Sequence, residues 1–396
     1  MHQRLKTASV IVLISCAVWS CSTKDAQVST ADTSLAALNL PAAPYNYATE
    51  NWPSYFTENT FPGPGQVAAT STINTPVSNP ITNHGATLGR VLFYDKNLSI
   101  NRTISCASCH NPSLGFSDSA VLSKGFNGGS TRRHSMPLVN AILYTRGRFF
   151  WDERAATLEE QVLQPFQDPV EMGMTIPTLL ERVREKSYYA TLFNNAFGST
   201  DITSNRVSLA LAQFVRSIVS YNSKYDAGRA LVQNPAQAFP NFTASENNGK
   251  NFFFQPINAG GGGCLGCHGT EAFVAPNRGG TVNGIDAVST TDRGIIEAIP
   301  NNNQLEGAFK VTSLRNIELT APYMHDGRFT SLTEVIEHYN SGIRNHRNLD
   351  PILKTPQGTP VRLNMTAQQK TDLLNFLKTL TDASVATNPK YTNPFR

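Results

Sequence analysis

The sequence predicts a mainly α-helical protein with long loops and two halves of similar design. Apolar residues recur at helical spacing over residues 175–197 and 204–221, whereas the alternation that is typical of strands is scarce. The pattern C-x-x-C-H occurs twice, at residues 106–110 and 264–268. A length of 396 residues is enough for two domains. We therefore expect two domains, each built around one copy of the pattern.

C-x-x-C-H is the attachment signature of a c-type haem. Each cysteine sulfur adds to a haem vinyl group, and the histidine that follows lies under the iron as its proximal ligand. The fold class that we expect is therefore mainly α, with two cytochrome c-like domains that each bind one covalent haem c. A zinc site built from both cysteine pairs is the alternative, but the histidine after each pair favours haem. The residues concerned are Cys106, Cys109, His110, Cys264, Cys267 and His268.

The N-terminus is typical of an exported protein. Basic residues precede a short apolar run over residues 8–19, and small residues follow it. We expect residues 1–21 to be a signal peptide and the mature protein to be periplasmic or in the cell envelope; a buried N-terminal helix is the alternative. Cys21 resembles a lipoprotein processing site, with Cys16 as a rival, so a lipid anchor is also open.

The composition excludes several classes of function. The net charge is only +4, and no basic run extends beyond Arg132 and Arg133, so we expect no nucleic-acid partner. No internal stretch is long and apolar enough to span a bilayer. Of the 6 cysteines, two lie in the predicted signal and four in the haem motifs, which leaves none for a disulfide.

The remaining elements follow in order along the chain. Residues 22–80 are rich in Ser, Thr, Asn, Pro and Ala and predict an irregular N-terminal lead. The N-terminal domain should span residues 81–235 and the C-terminal domain residues 236–396, because prolines interrupt the helical pattern between them. Weak candidates for strands lie around Thr281 and Phe309. Short helices are expected near the segments 88–95, 157–163, 175–197, 204–221, 245–254, 332–339 and 366–380.

Four longer segments extend the pattern beyond the haem motifs. They lie at residues 149–161, 168–173, 209–226 and 314–327. With these segments in this order, the chain resembles the bacterial dihaem cytochrome c peroxidases and their MauG-type relatives. The resemblance implies a peroxidatic haem in the N-terminal domain and an electron-transfer haem in the C-terminal domain.

The resemblance also assigns residues to the open face of the first haem. Glu171 matches the distal glutamate, an acid/base that takes a proton from one peroxide oxygen and gives it to the other. Gln161 matches a distal glutamine, and Pro165 matches a proline that packs over the open haem. The alternatives are a surface glutamate, an exposed glutamine and a proline that ends a helix over residues 157–164.

In many peroxidases of this kind, a distal histidine must leave the first iron before peroxide can bind. The corresponding position here is Phe126, and residues 124–131 contain no histidine. The resemblance therefore implies a first haem that is five-coordinate in the oxidised protein, as in MauG-type proteins. His134 is a further ligand candidate, although packing near the haem edge is the simpler interpretation.

Peroxide cleavage takes two electrons, and a second, six-coordinate haem can supply one of them. Its proximal ligand would be His268, and the resemblance to MauG-type relatives implies Tyr339 as the distal ligand. Tyrosinate is a hard anionic ligand that favours oxidised iron. Met324 and His338 are competing ligands, and a place in the core is the other role open to Tyr339.

The resemblance gives three more residues a role around the haems. Trp151 matches a tryptophan between the two haems that relays electrons, and a buried core residue is the alternative. Arg315 and His325 would order the haem propionates or the contact between the domains.

Many relatives also hold a calcium ion between the domains. The carbonyls of Thr320 and Pro322 would contribute, together with an asparagine from the first domain. His134 replaces the nearest match to that asparagine, so Asn140 is the next candidate.

Three functions are open from the sequence. The first is an enzyme of the cytochrome-c peroxidase type, which reduces hydrogen peroxide to water with electrons from a small cytochrome c or cupredoxin. The second is a MauG-like oxidase that uses a bis-ferryl state on a protein substrate, which Phe126 and Tyr339 favour. The third is a non-enzymatic dihaem electron carrier, which Glu171 disfavours. A homodimer is one candidate assembly.

Overall fold

Short α-helices joined by long loops make up the computed structural model of this chain. It describes residues 35–61, 65–274, 276 and 279–396, so the predicted signal peptide at residues 1–21 lies outside the described residues. In chain order, the described helices are α1 (Ser54–Thr57), α2 (Asn83–Tyr94), α3 (Cys106–Cys109), α4 (Leu158–Gln161), α5 (Gln164–Gln167), α6 (Ile176–Arg184), α7 (Ser187–Phe197), α8 (Ser204–Ser217), α9 (Lys224–Arg229), α10 (Ala244–Phe254), α11 (Leu332–Glu337), α12 (Ala367–Lys378) and α13 (Ser384–Thr387).

The mainly α-helical class is confirmed, because the described ranges contain isolated β-bridges but no β-sheet. One of these bridges joins Thr281 to Phe309, where the sequence predicts weak strands. None of the helices in these ranges combines the length and the apolar character that a bilayer crossing requires.

Helices α2 and α8 form the centre of the first hydrophobic core. Thr82 and Thr203 cap them, each by accepting a hydrogen bond from a backbone N–H of the first turn. Gly89 allows a close approach, since a Cβ there would lie 2.0 Å from the carbonyl oxygen of Ala210. This packing positions a wall of the first haem cavity, to which α8 contributes Leu211.

Two of the predicted helices are broken into pairs. The segment 175–197 forms α6 and α7, because Lys186 between them adopts an extended backbone. The segment 157–163 forms α4, and the chain then continues into α5, whose first turn contains Pro165. Proline is tolerated there because the N–H groups of the first turn lack helical partners. Pro165 thus begins a helix, and the alternative in which it ends one is wrong.

A residue near each end of the chain packs in the hydrophobic core of the opposite half. Phe61, from the N-terminal lead, packs in the second core against Phe254 and Phe273. Tyr391, near the C-terminus, packs in the first core and donates a 2.6 Å hydrogen bond to the carbonyl oxygen of Ser217. In line with these crossings, the described residues belong to one compact unit. The domain boundary at residue 235 stays a prediction.

Candidate active site

Each C-x-x-C-H motif lines its own cavity. The first cavity has a volume of about 680 Å³ and is lined by both cysteines and the histidine of residues 106–110. The second has a volume of about 220 Å³ and is lined by the same residues of the motif at 264–268. The two cysteine pairs therefore do not converge, as a shared zinc site would require. The described part of the chain also gathers no group of three or more His, Cys, Asp and Glu side chains that could hold a metal ion.

The proximal histidines are oriented in the same way in both motifs. Nδ1 of His110 lies 3.0 Å from the carbonyl oxygen of Phe116, and Nδ1 of His268 lies 3.3 Å from that of Phe273. Such a bond places the ring proton on Nδ1, so Nε2 carries the lone pair that an iron ligand needs. Both phenylalanines adopt the left-handed backbone, with φ of 60° and 52°. Burial lowers the pKa of His110, which keeps the ring neutral.

The walls of both cavities suit a porphyrin held by thioether bonds. Burial raises the pKa of Cys106 and of Cys264 to about 12, so both thiols stay neutral and are poor metal-binding thiolates. Apolar side chains make up most of the remaining wall, as cofactor sites generally show; Phe93 and Leu158 are examples in the first cavity. The residues present thus fit one covalent haem c in each cavity.

The structure brings the predicted distal residues together in the first cavity. Burial raises the pKa of Glu171 to about 7; the negative charge of Asp168 adds to the rise, and the positive charge of Arg154 opposes it. A carboxyl group that titrates near neutrality can both accept and return a proton. The predicted residues that line this cavity are Trp151, Gln161, Pro165 and Glu171.

Ion pairs extend from the first cavity into the second half. Arg154 pairs with Asp152 over 3.0 Å, and Asp152 also pairs with Arg133 over 2.5 Å. Arg133 in turn reaches Asp292 over 2.7 Å. The sequence alone did not predict a role for these ion pairs. A signal was present, since Asp152 and Arg154 lie inside the segment 149–161 that carries part of the family resemblance.

The loop that contains Phe126 is held against the loop that contains Glu171. The N–H of Phe126 donates a 3.0 Å hydrogen bond to the carbonyl oxygen of Glu171. Its ring packs over Gly173, where a Cβ would lie 2.4 Å from the ring carbon Cε1. Gly125 allows the approach, since a Cβ there would lie 1.6 Å from the carbonyl oxygen of Val170. Phe126 therefore lies outside the lining of the first cavity.

His134 is engaged through both of its ring nitrogens. Nε2 lies 3.3 Å from Oγ of Ser117, and Nδ1 lies 3.1 Å from the carbonyl oxygen of Ala120. The residue is buried but borders both cavities. This geometry supports the packing interpretation of His134 over a role as iron ligand.

Tyr339 and Met324 both line the second cavity, together with His268. Tyr339 lies in a π-helical turn, His338–Gly342, directly after α11; such turns are frequent at functional sites. Burial raises the pKa of Tyr339 above its ordinary value, and a hydrogen bond with the side chain of Asn283 opposes the rise. The amide nitrogen of Asn283 also lies 3.5 Å from Sδ of Met324.

His338 is placed differently from the other two ligand candidates. Its Nε2 lies 3.1 Å from the carbonyl oxygen of Asn283, and it does not line the second cavity. The structure thus leaves Tyr339 and Met324 as the candidates beside the second haem site. Asn283 contacts both Tyr339 and Met324. It could not be predicted, because a single asparagine in a loop belongs to no motif.

Trp151 borders both cavities, and so does the buried Lys310. The indole Nε1 of Trp151 donates a 2.8 Å hydrogen bond to the carbonyl oxygen of His134. The carbonyl oxygen of Trp151 accepts from the N–H of Lys310 over 2.8 Å. The ammonium of Lys310 lies 4.0 Å from the ring centre of Tyr144, and burial lowers its pKa to about 7. Lys310 was not predicted, because the neighbouring sequence gives no indication that this lysine is buried.

Arg315 and His325 lie in different surroundings in the structure. His325 lines the second cavity and stacks on Phe309 with ring centroids 3.6 Å apart. Arg315 is fully buried, and its guanidinium donates to Asp226 over 2.6 Å and to the carbonyl oxygen of Glu271 over 2.9 Å. Arg315 therefore lies in the contact between the predicted domains, as one of its two predicted roles requires, and lines neither haem cavity.

The structure describes the surroundings of the predicted calcium ligands. Thr320 and Pro322 line the second cavity, whereas Asn140 lines neither cavity. Both ends of the Asn140 amide bond Ser220: Oδ1 accepts from its N–H over 2.9 Å, and Nδ2 donates to its carbonyl oxygen over 3.1 Å. An amide fixed in this way is poorly placed to join a calcium shell. Asn140 therefore fits the predicted site poorly, and the calcium roles of Thr320 and Pro322 stay predictions.

Known proteins provide an independent comparison. A protein-family model described as di-haem cytochrome c peroxidase matches residues 83–231. The chain is 35% identical over 311 residues to the methylamine utilization protein MauG of Methylorubrum extorquens, covering 77% of this chain and 80% of that protein. It is 32% identical over 264 residues to the cytochrome c551 peroxidase of Nitrosomonas europaea, covering 64% of this chain and 71% of that protein. A crystal structure of a MauG-like protein associated with microbial copper homeostasis matches with a TM-score of 0.73 at 30% identity, covering 88% of this chain and 99% of that chain.

Proposed function

The chain belongs to the family of dihaem cytochrome c peroxidases and MauG proteins, and from that premise we propose that it reduces hydrogen peroxide to water at its first haem site. The electrons come one at a time from a small cytochrome c or cupredoxin. The observation that carries the proposal is Glu171, a carboxyl group with a pKa of about 7 in the wall of the cavity that contains the first haem motif.

A haem c bound through Cys106 and Cys109, with His110 as iron ligand, supplies the redox chemistry of this site. Reduction of one peroxide molecule consumes two electrons and two protons and releases two water molecules. Glu171 accepts the proton of one peroxide oxygen and returns it to the other oxygen, which then leaves as water. Gln161 lines the same cavity, which supports a role for its amide in orienting the peroxide.

Arg154 supports the acid/base role of Glu171. Its positive charge lowers the pKa of Glu171 and thus opposes the larger effect of burial. Its guanidinium is positioned by Asp152 at 3.0 Å and packs over the ring of Phe150, 3.4 Å from the ring centre. The charge near the glutamate is therefore fixed by contacts on two sides.

The packing of Phe126 supports an open first site. The residue at the position of the family's distal histidine is a phenylalanine that packs on Gly173 outside the cavity lining. His134 is occupied by Ser117 and a backbone carbonyl. Both contacts support a first haem that binds peroxide without prior reduction.

The second site suits the storage of one electron. His268 and Tyr339 line it, and Met324 is the other ligand candidate. Trp151 borders both cavities, which supports its proposed role as an electron relay.

A second candidate function is the MauG-like oxidation of a protein side chain. The phenylalanine at position 126 and the tyrosine at position 339 favour it, because the resemblance associates both with MauG-type proteins. The non-enzymatic electron carrier is less well supported, since a carrier does not need an acid/base such as Glu171 in the wall of the haem cavity.

Stopped-flow absorbance of the haem-loaded protein tests the proposed function. Peroxide is mixed with the oxidised protein, with and without a reduced small cytochrome c. We expect rapid reaction with peroxide and oxidation of two cytochromes per peroxide. Reaction with peroxide that leaves the cytochromes reduced would favour the MauG-like function instead, and a protein inert to peroxide would refute both.

Export is proposed on the pattern of residues 1–21, and lipid attachment at Cys21 is a further prediction from the same segment. Fractionation of cells that express the full chain tests both: we expect the protein outside the cytoplasm, and a membrane-bound form only if Cys21 is lipidated.

A further inference from the structure

Two buried tyrosines converge on one carboxylate beside the first haem motif. The hydroxyl of Tyr189 donates to Oδ2 of Asp95 over 2.8 Å, and that of Tyr188 donates to the same oxygen over 3.2 Å. The centroids of the two tyrosine rings are 4.7 Å apart. All three side chains belong to the interior of the first half, with exposed fractions of 2% for Asp95, 6% for Tyr188 and 0% for Tyr189.

The two carboxylate oxygens of Asp95 accept hydrogen bonds from different donors. Oδ1 accepts from the backbone N–H and the side-chain amide of Asn97, both over 2.8 Å, and so closes the turn after α2. The turn therefore does not need Oδ2, which receives the two phenols. All of these donors are neutral groups.

The cluster is close to the first haem motif. Helix α2 packs against α3, which begins with Cys106, and Cys106 packs against the same hydrophobic core as Tyr188 and Tyr189. Asp95 follows α2 directly, and Phe93 in the last turn of that helix lines the first cavity. The tyrosine pair therefore lies in the same core against which the first haem motif packs.

A buried phenol beside a carboxylate is suited to one-electron oxidation. Loss of an electron makes a phenol strongly acidic, and its proton must move at once to a base within hydrogen-bond reach. Burial raises the pKa of Tyr189 well above its ordinary value, so before oxidation the phenol keeps its proton. Asp95 is placed to receive that proton only after the electron has left.

We propose that Tyr189, with Asp95 as its proton acceptor, is an internal one-electron donor to the first haem site when no external donor is available. The inference rests on the proposed peroxidase function, which supplies hydrogen peroxide as the oxidant. Tyr189 loses one electron to the first haem site that peroxide has oxidised, and its hydroxyl proton moves to Oδ2 of Asp95. The product is a neutral tyrosyl radical, which the ring of Tyr188 at 4.7 Å can share.

Tyr94 provides a matched control. It is buried in the same core, and it directly precedes Asp95 in the sequence. Its hydroxyl, however, donates to the carbonyl oxygen of Tyr391 over 2.6 Å. A backbone carbonyl is not a base that can take up the proton, so Tyr94 should not form a stable radical.

Freeze-quench electron paramagnetic resonance (EPR) of the haem-loaded full chain tests the inference. The oxidised protein is mixed with hydrogen peroxide without a reduced cytochrome, and peroxide consumption is recorded in parallel. We expect an organic radical whose hyperfine structure narrows when the protein contains ring-deuterated tyrosine. The radical should be lost in Y189F and in D95N, and unchanged in Y94F, with the same haem content in all variants.

Three results would overturn the inference. Wild-type protein that consumes peroxide but forms no tyrosyl radical overturns it without any variant, and leaves the peroxidase function standing. A radical that persists in Y189F assigns it to another residue. Wild-type protein that does not consume peroxide refutes the proposed function and this inference with it.

Discussion

The backbone N–H of Phe126 donates a 3.0 Å hydrogen bond to the carbonyl oxygen of Glu171. This contact joins the loop that carries a distal ligand in other peroxidases to the loop that carries the acid/base. Gly125 and Gly173 allow the loops to meet, because a Cβ at either position would overlap with its neighbours. The same packing that keeps the ring of Phe126 outside the cavity lining also positions the backbone of Glu171.

Glu171→Gln should slow the reaction with peroxide by about 100-fold or more, since general acid–base catalysis contributes about 10²–10⁴-fold. Gln cannot exchange a proton but has nearly the same shape, so haem content and thermal unfolding should change little. Stopped-flow absorbance at the first haem measures the rate. Glu181→Gln is the control, because Glu181 is an exposed residue of α6, and this variant should react like the wild type. Equal rates for both variants would remove Glu171 from the reaction.

In the wild type, the rate constant of the reaction with peroxide should rise as the pH increases through about 7. Burial raises the pKa of Glu171 from 4.5 to about 7, and only the carboxylate can accept the peroxide proton. The stability of the fold depends on pH in the opposite direction. The folded chain binds the proton of Glu171 more tightly than the unfolded chain does, so this proton adds to the free energy of unfolding at low pH. That contribution is lost as pH rises through 7. Both dependences should vanish in Glu171→Gln. A wild-type pH profile with no inflection between about pH 6 and 8 would contradict the assignment.

Tyr339→Phe should change the absorption and EPR spectra of the second haem, with covalent haem still present at both motifs. The hydroxyl of Tyr339 is the group lost, and the cavity keeps its shape. Tyr323→Phe is the control, because Tyr323 lines the same cavity but donates its hydroxyl to the carbonyl oxygen of Ile317 over 3.0 Å. If only Met324→Leu altered the second haem, the ligand would be Met324.

Trp151→Phe should slow electron exchange between the haems several-fold while both haems remain bound. The smaller ring loses the contact of the indole Nε1 with the carbonyl oxygen of His134 and part of the wall shared by both cavities. Flash reduction followed by time-resolved absorbance measures the exchange. Trp52→Phe is the control, since Trp52 stacks on Phe56 in the first core and lines neither cavity. An exchange rate equal to that of the control would leave Trp151 with a packing role only.

Local patterns predicted the helices well, whereas the residues assigned to the first site came from the family resemblance. Helical periodicity located α8 and α12 to within a few residues, because each presents one apolar face to a core. The distal residues Gln161, Pro165 and Glu171 meet in one cavity since they follow one another on α4, α5 and the next loop.

Contacts between distant segments could not be read from the sequence. Asp95 meets Tyr189 through the packing of α2 on α7, and neither residue carries a local signal for the other. Arg315 matches a family motif, but its ion pair with Asp226 depends on how the two halves pack. The same limit explains why Asn140 was a calcium candidate, since its bonds to Ser220 form only in the folded chain.

The central claim is an open first haem beside Glu171 and a closed second haem. EPR of the oxidised, haem-loaded protein tests it most directly. We predict one high-spin ferric signal from the first haem and one low-spin signal from the second, with Glu171→Gln perturbing only the high-spin signal. Two low-spin signals of equal intensity would contradict the account.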